Sequence, residues 1–158
     1  NQNPMMMELL KTAVKQPLKV NQLQLSAAFT PSFEAGFHVN MEGPKAAVRD
    51  GSVFEYCRLT DTVIQAWSVL QHGYFKGNFV GKEEFAALNH VLNDLAKKYQ
   101  VTPTAIALAW VLRYPGKMQA VIGTTKPQHV LEAGKATEVT LTRKEWYQVY
   151  LAAGNDLP

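Results

Sequence analysis

Residues 119–132 read QAVIGTTKPQHVLE. Ala120, Val121 and Ile122 form a short apolar run bounded by turn formers, the pattern of a buried strand. Gly123 interrupts it. Thr124 and Thr125 are residue types that cap helix starts, and Pro127 suits a first helical turn, where its missing N–H leaves no bond unmade. Val130 and Leu131 then fall on the expected inner face. The expectation is strand, small-residue loop, helix. Such a loop sets free backbone N–H groups and the positive end of a helix dipole beside two hydroxyls and a lysine, an arrangement suited to phosphate. An ordinary strand–helix connection with a polar turn has the same pattern, so the stretch alone leaves both readings open.

Working outward, the same alternation of strand and helix recurs upstream. Asn3-Pro4 is a cap followed by a first-turn proline, and Met5, Met6, Leu9, Leu10 and Ala13 give the helix after it a packing face. Residues 18–25 (LKVNQLQL) alternate apolar and polar, which predicts a strand with Asn21, Leu23 and Leu25 on one side and Leu18, Val20, Gln22 and Gln24 on the other. Residues 26–50 are long and irregular, with Pro31, Gly36, Gly43 and Pro44; Phe29, Phe33 and Phe37 favour a structured lid. A short helix is expected over 51–60, with Val53, Phe54 and Cys57 inward. A strand follows over 62–68 (TVIQAWS), then an aromatic, glycine-bearing loop over 69–82.

Residues 83–99 have helical period, with Phe85, Leu88, Val91, Leu92, Leu95 and Tyr99 on one face. Thr102-Pro103 starts a helix that is apolar nearly all round from Ala105 to Leu112, hence buried between neighbours. Near the end, Thr142 and Glu145 fit a capping box ahead of Trp146, Val149, Tyr150 and Ala153. Strands alternating with helices predict a parallel sheet with helices outside. Segments 18–25, 62–68 and 119–123 are expected to be adjacent parallel strands whose C-terminal ends share one face.

Composition limits the function classes. The chain has 158 residues, 47% apolar and 18% charged, with net charge +3 and pI near 9.0. Those are the proportions of a soluble globular domain. Lys and Arg are scattered, with no run suggesting a nucleic-acid arm. Tyr99 to Thr104, between two helices, resembles a helix-turn-helix, but Ala105 to Leu112 offers almost no polar side chain to read base edges, so no nucleic-acid partner is expected. One cysteine, Cys57, excludes an internal disulfide framework and suits a reducing cytoplasm. No apolar run reaches the ~20 residues of a bilayer span, and no signal peptide is visible, so no membrane role is expected. The start at Asn1, without Met, looks internal.

Four markers together resemble one family. Asn1 with the following helix resembles the end of a Gly-Val-Ser-Asn strand. Asn21-Gln22 resembles an Asn-Gln-x-Glu strand. Ala66-Trp67-Ser68-Val69-Leu70 resembles an aromatic-Ser-Pro-Leu strand end, and Val121 to Thr125 a last barrel strand with its phosphate loop. In order and spacing they resemble the C-terminal half of an aldo-keto reductase, closest to the bacterial oxidoreductase branch with a Gly-Thr-Thr loop. Gln24 stands where the family has Glu, Val69 where it has Pro, and Ala133 where many members have Asn.

The resemblance implies an α/β fold: the C-terminal part of a (β/α)8 TIM barrel, three parallel strands with outer helices, all of residues 1–158 belonging to one barrel domain. A whole barrel needs ~250 residues, so a missing N-terminal half is the expected partner. The family's Asp, Tyr, Lys and His tetrad lies in that half. Tyr56, His72, Tyr74 and Lys76 match none of its positions, so no catalytic residue is assigned here, and none to a metal.

What the resemblance assigns to this chain is the cofactor site of an NADP(H)-dependent reductase of small carbonyl compounds. Trp67 would stack on the nicotinamide, and the amides of Asn1 and Gln22 would hold its carboxamide. Ser68 and Leu70 would begin the pyrophosphate loop. Gly123, Thr124, Thr125, Lys126 and His129 would surround the 2′-phosphate, and Glu132 would accept from the adenine amine. A core aromatic at Trp67, strand-end amides at Asn1 and Gln22, a solvated surface lysine at Lys126 and a water-facing Glu132 are the plainer readings. A non-catalytic NADP-binding interaction subunit, resembling the potassium-channel β subunits, is the alternative function.

Overall fold

The computed structural model describes residues 2–37, 52–73 and 77–157. Asn1, Tyr74, Lys76 and the part of the expected lid beyond residue 37 lie outside them.

Helices begin where the sequence supplies a cap followed by proline. Asn3 opens α1 (Pro4–Ala13), its side chain accepting from the Met6 N–H at 2.8 Å. Thr102 opens α5 (Pro103–Leu112) in the same way, accepting from the Ala105 N–H at 3.1 Å. A third pair, Thr30-Pro31, opens α2 (Pro31–Phe37) inside the segment expected to be irregular. This is a correction. The Thr30 carbonyl accepts from the N–H groups of Phe33 and Glu34, so Pro31 acts here as a first-turn residue and not as a breaker. The remaining helices are α3 (Ser52–Leu59), α4 (Ala86–Tyr99, preceded by a 3-10 turn at Glu83–Phe85), α6 (Pro127–Gly134, followed by one at Lys135–Glu138) and α7 (Arg143–Ala152).

The three strands among the described residues are β1 (Val20–Gln24), β2 (Val63–Trp67) and β3 (Met118–Ala120), paired in that order and parallel throughout. Register places Gln22 beside Gln65 and Gln65 beside Gln119. Their side-chain amides form a ladder, Gln22 donating to Gln65 at 3.0 Å and Gln65 to Gln119 at 2.9 Å. On β1 the expected alternation holds: Asn21, Leu23 and Leu25 are buried, and Val20 and Gln22 are exposed. Helices cover one face of the sheet, and the amide ladder lies on the other.

The core sits between that covered face and α4, α5 and α7. Every residue from Ala105 to Val111 is buried, which is why α5 has no polar face. Trp110 and Trp146 stack at 4.8 Å, each indole N–H donating to the other's backbone carbonyl at 3.0 Å. Phe33 packs edge-on to Phe54 at 5.5 Å and joins this aromatic cluster. Thr142 and Glu145 form the expected capping box at the start of α7.

Three apolar expectations fail. Strand β3 stops at Ala120, and Val121 and Ile122 are 40% and 37% exposed. The Val121 N–H still bonds the Ala66 carbonyl at 2.8 Å, but beyond it the chain leaves the sheet. Val130 and Leu131 are exposed because α6 buries none of its side chains and rests against its neighbours on another face. On α1 only Pro4 and Met7 are buried, so Met5, Met6, Leu9 and Leu10 face outward.

Candidate functional site

Register brings two distant segments to one place. Ala66 pairs with Ala120, so the residues after each leave the sheet side by side, at the C-terminal ends of β2 and β3. Between them lies a cleft of about 490 Å³, within the range of small-molecule sites. Trp67, Ser68 and Leu70 line it from the β2 side; Gly123, Thr124 and His129 line it from the β3–α6 side.

Each wall has a local cause. Ser68 takes a left-handed backbone (φ 53°) that turns the chain sharply out of β2, and its carbonyl accepts from the Gln71 N–H at 2.9 Å. Gln71 bridges to Asn78 in antiparallel fashion. Asn89, buried on α4, fixes the segment after that bridge: its Oδ1 accepts from the Gly81 N–H at 2.8 Å and its Nδ2 donates to the Phe79 carbonyl at 3.0 Å. An Asn this deep is held by several such bonds rather than by packing alone.

On the opposite wall the Thr124 hydroxyl accepts from the Lys126 N–H at 3.2 Å and lies 3.4 Å from His129 Nδ1. The residue at the N-cap of α6 is Lys126, not Thr124 or Thr125, and no side chain caps that helix. Pro127 has no N–H and the His129 N–H bonds the Lys126 carbonyl at 3.0 Å, which leaves the Gln128 N–H of that first turn for solvent or an anion. A side chain at Gly123 would meet nothing within 4 Å, so a ligand can approach the backbone there. An aromatic wall, a strained turn and an uncapped helix start suit a flat heterocycle joined to phosphate, which fits the dinucleotide expected from the sequence.

Not every expected residue reaches the cleft. Gln22 is engaged in the amide ladder, two positions before the level of Trp67. Thr125 and Lys126 are exposed at the rim, and Glu132 accepts from Gln128 along α6 at 3.2 Å. Sequence reasoning missed Val121, Ile122, Gln71 and Asn78 as lining residues, and gave Ala133 only as a departure. His129 and Ala133 are four apart on one helix, so their shared face was readable. The Gln71–Asn78 bridge had no sequence signal.

Among the described residues, no helix is long and apolar enough to cross a membrane, and no three His, Cys, Asp or Glu cluster as a metal site.

Residues 6–151 match the model of the aldo/keto reductase family. The chain is 31% identical over 159 residues to 6-dehydroglucose reductase of Agrobacterium fabrum, covering 99% of this chain and 46% of that protein. Among solved structures, a thermostable aldo-keto reductase in complex with the inhibitor epalrestat superposes with TM-score 0.66 at 19% identity, over 96% of this chain and 46% of that one. An aldo-keto reductase complexed with NADPH superposes with TM-score 0.63 at 15% identity, over 95% and 39%. The fold is thus that of part of such a barrel, and the chain spans about half the length of the Agrobacterium relative.

Proposed function

The chain belongs to the aldo/keto reductase family, and from that premise we propose that residues 1–158 form the C-terminal portion of a single barrel domain in an NADP(H)-dependent oxidoreductase that reduces an aldehyde or ketone to an alcohol. The observation that carries this reading is the cleft at the ends of β2 and β3, where six of the expected cofactor residues meet. The resemblance of the loop at Gly123 to Thr125 supports a reading in the bacterial branch, and the single buried cysteine, Cys57, suits a cytoplasmic enzyme.

In this reading the bound cofactor supplies the hydride. The chain's own residues orient it. Trp67 stacks on one face of the nicotinamide and leaves the nicotinamide's other face open toward substrate. The amides of Asn1 and Gln22 hold the carboxamide, for which Gln22 turns from its ladder partner. Ser68 and Leu70 shape the loop over the pyrophosphate. The uncapped start of α6, the Thr124 and Thr125 hydroxyls, Lys126 and His129 hold the 2′-phosphate, and Glu132 faces the adenine. A tyrosine in the remainder of the barrel donates the proton to the carbonyl oxygen.

The 6-dehydroglucose reductase relative makes a sugar-derived carbonyl the first substrate to test. The experiment follows NADPH absorbance with the full-length parent and with the 158-residue chain. The parent is expected to oxidise NADPH with at least one carbonyl, and the chain alone to show no turnover. A parent inert toward every aldehyde and ketone overturns the reading. Robust turnover by verified 158-residue material overturns the assignment of the proton donor to the remainder.

A further inference from the structure

A second cleft, of about 340 Å³, lies where α3 and α5 end and α7 begins, toward the end of the sheet at which β2 and β3 start. We propose that it binds a compact polyanion, a phosphate ester or a di- or tricarboxylate carrying at least two negative charges. Arg58, Arg113 and Arg143 line it, with Tyr114 and Tyr147 in its walls and Glu55 the only acid among the described residues that line it.

Three observations carry the proposal. All the arginines of the described residues converge here, from three different helices, and among the described residues none of them is in an ion pair. Guanidinium forks match phosphate and carboxylate oxygens in pairs. Two of the side chains are already oriented. Arg113 Nε donates to the Leu141 carbonyl at 2.8 Å, leaving its terminal nitrogens free to bond, and the Arg143 guanidinium lies 5.7 Å over the Tyr147 ring.

The third observation concerns placement. Arg58 and Arg113 sit at helix C-terminal ends, where a cation complements the dipole whether or not a ligand binds. Arg143 does the opposite. It occupies the first position of α7, the positive end, beside two other guanidinium groups. The helix dipole and the neighbouring guanidinium groups oppose a cation there, against which stands its contact with the Tyr147 ring, and a bound anion turns the arrangement favourable.

The test is calorimetric titration of the protein with pyrophosphate and with citrate at low ionic strength. It is done in the Lys126→Ala/His129→Ala background, so that the cofactor cleft does not contribute. At least one anion is expected to bind at a single site, and Arg58→Gln and Arg143→Gln are each expected to weaken it about tenfold. Both residues are exposed, so both variants should fold; Lys144→Gln, outside the cleft, should bind as the parent does. Preference for pyrophosphate identifies a phosphate ester, and preference for citrate a carboxylate. The proposal is overturned if neither anion binds at millimolar concentration, if the arginine variants bind undiminished, or if an acidic peptide binds where neither small anion does.

Discussion

Gly123→Ala distinguishes a glycine kept for the fold from one kept for a ligand. Gly123 lines the cofactor cleft, and a methyl built on it meets no atom within 4 Å. Its φ lies outside the left-handed range, so alanine can take the same backbone. The folded chain therefore makes no use of the missing side chain. Replacement reduces the freedom of the unfolded chain and should stabilise by about 0.4–1 kcal/mol, or roughly 1–4 °C in Tm for a chain of this size. Cofactor binding should change in the opposite sense. A phosphate seated against the N–H groups of this loop would be held off by the methyl and would lose at least one charge-assisted hydrogen bond. Such a bond contributes about 1.5–3 kcal/mol, so NADPH affinity should fall about tenfold to a hundredfold. Differential scanning fluorimetry and titration calorimetry read the two effects separately. A variant that binds NADPH as the parent does refutes a phosphate at this loop. One that melts several degrees lower refutes the inference that the fold leaves the space empty.

Lys126→Ala/His129→Ala should weaken NADPH by about a hundredfold or more by removing two charge-assisted contacts while leaving NADH nearly unchanged; equal loss of both cofactors in calorimetry would sink the assignment of the 2′-phosphate to this loop. Glu145 is buried, which raises its pKa, but bonds from Lys98, from the N–H and hydroxyl of Thr142 and from the Tyr99 hydroxyl hold the carboxyl at about 2, below its ordinary 4.5. A depressed folded pKa stabilises above the ordinary value and is lost as pH falls from about 4.5 to about 2. With Lys98 58% exposed, screening leaves about 1–2 kcal/mol. Urea midpoints of parent and Glu145→Gln should therefore differ at pH near 6 and converge near pH 2; a constant gap contradicts the linkage. Trp110→Phe removes the indole N–H that donates to the Trp146 carbonyl and cuts away part of a buried aromatic stack. The expected loss is about 2–4 kcal/mol in chemical denaturation, and a loss under 1 kcal/mol would show that the reciprocal bonds matter little.

Helix starts were legible because capping is local. Asn3-Pro4, Thr102-Pro103 and the Thr142–Glu145 box each place the acceptor and the orphan N–H within four residues of one another. Thr30-Pro31 carries the same signal but lies in a stretch whose glycines and prolines favour an irregular reading. Parallel pairing is not local, yet alternation of strand and helix left few topologies to consider. Periodicity, by contrast, says which side chains share a face and not what covers it. Met5, Leu9, Val130 and Leu131 have apolar spacing but are exposed. Likewise Ala120, Val121 and Ile122 look alike in sequence, though only the first stays in the sheet.

The cofactor cleft follows from one register. With Ala66 opposite Ala120, Trp67 and Val121 are the next residues on neighbouring parallel strands. Everything that follows each of them for a few positions must lie at the same end of the sheet. That is how segments far apart in sequence come to face each other, and once the pairing is known the contact between 67–70 and 121–124 needs no further information. The same register explains why Gln22 does not line the cleft. It is level with Gln65, two residues before Trp67, and at about 3.3 Å per residue that is some 7 Å below the strand end. An amide at that depth meets the amides beside it, and the three-strand ladder is the result. A ligand carboxamide would have to reach down to Gln22 or draw its side chain upward, exchanging the Gln65 bond for one of equal kind.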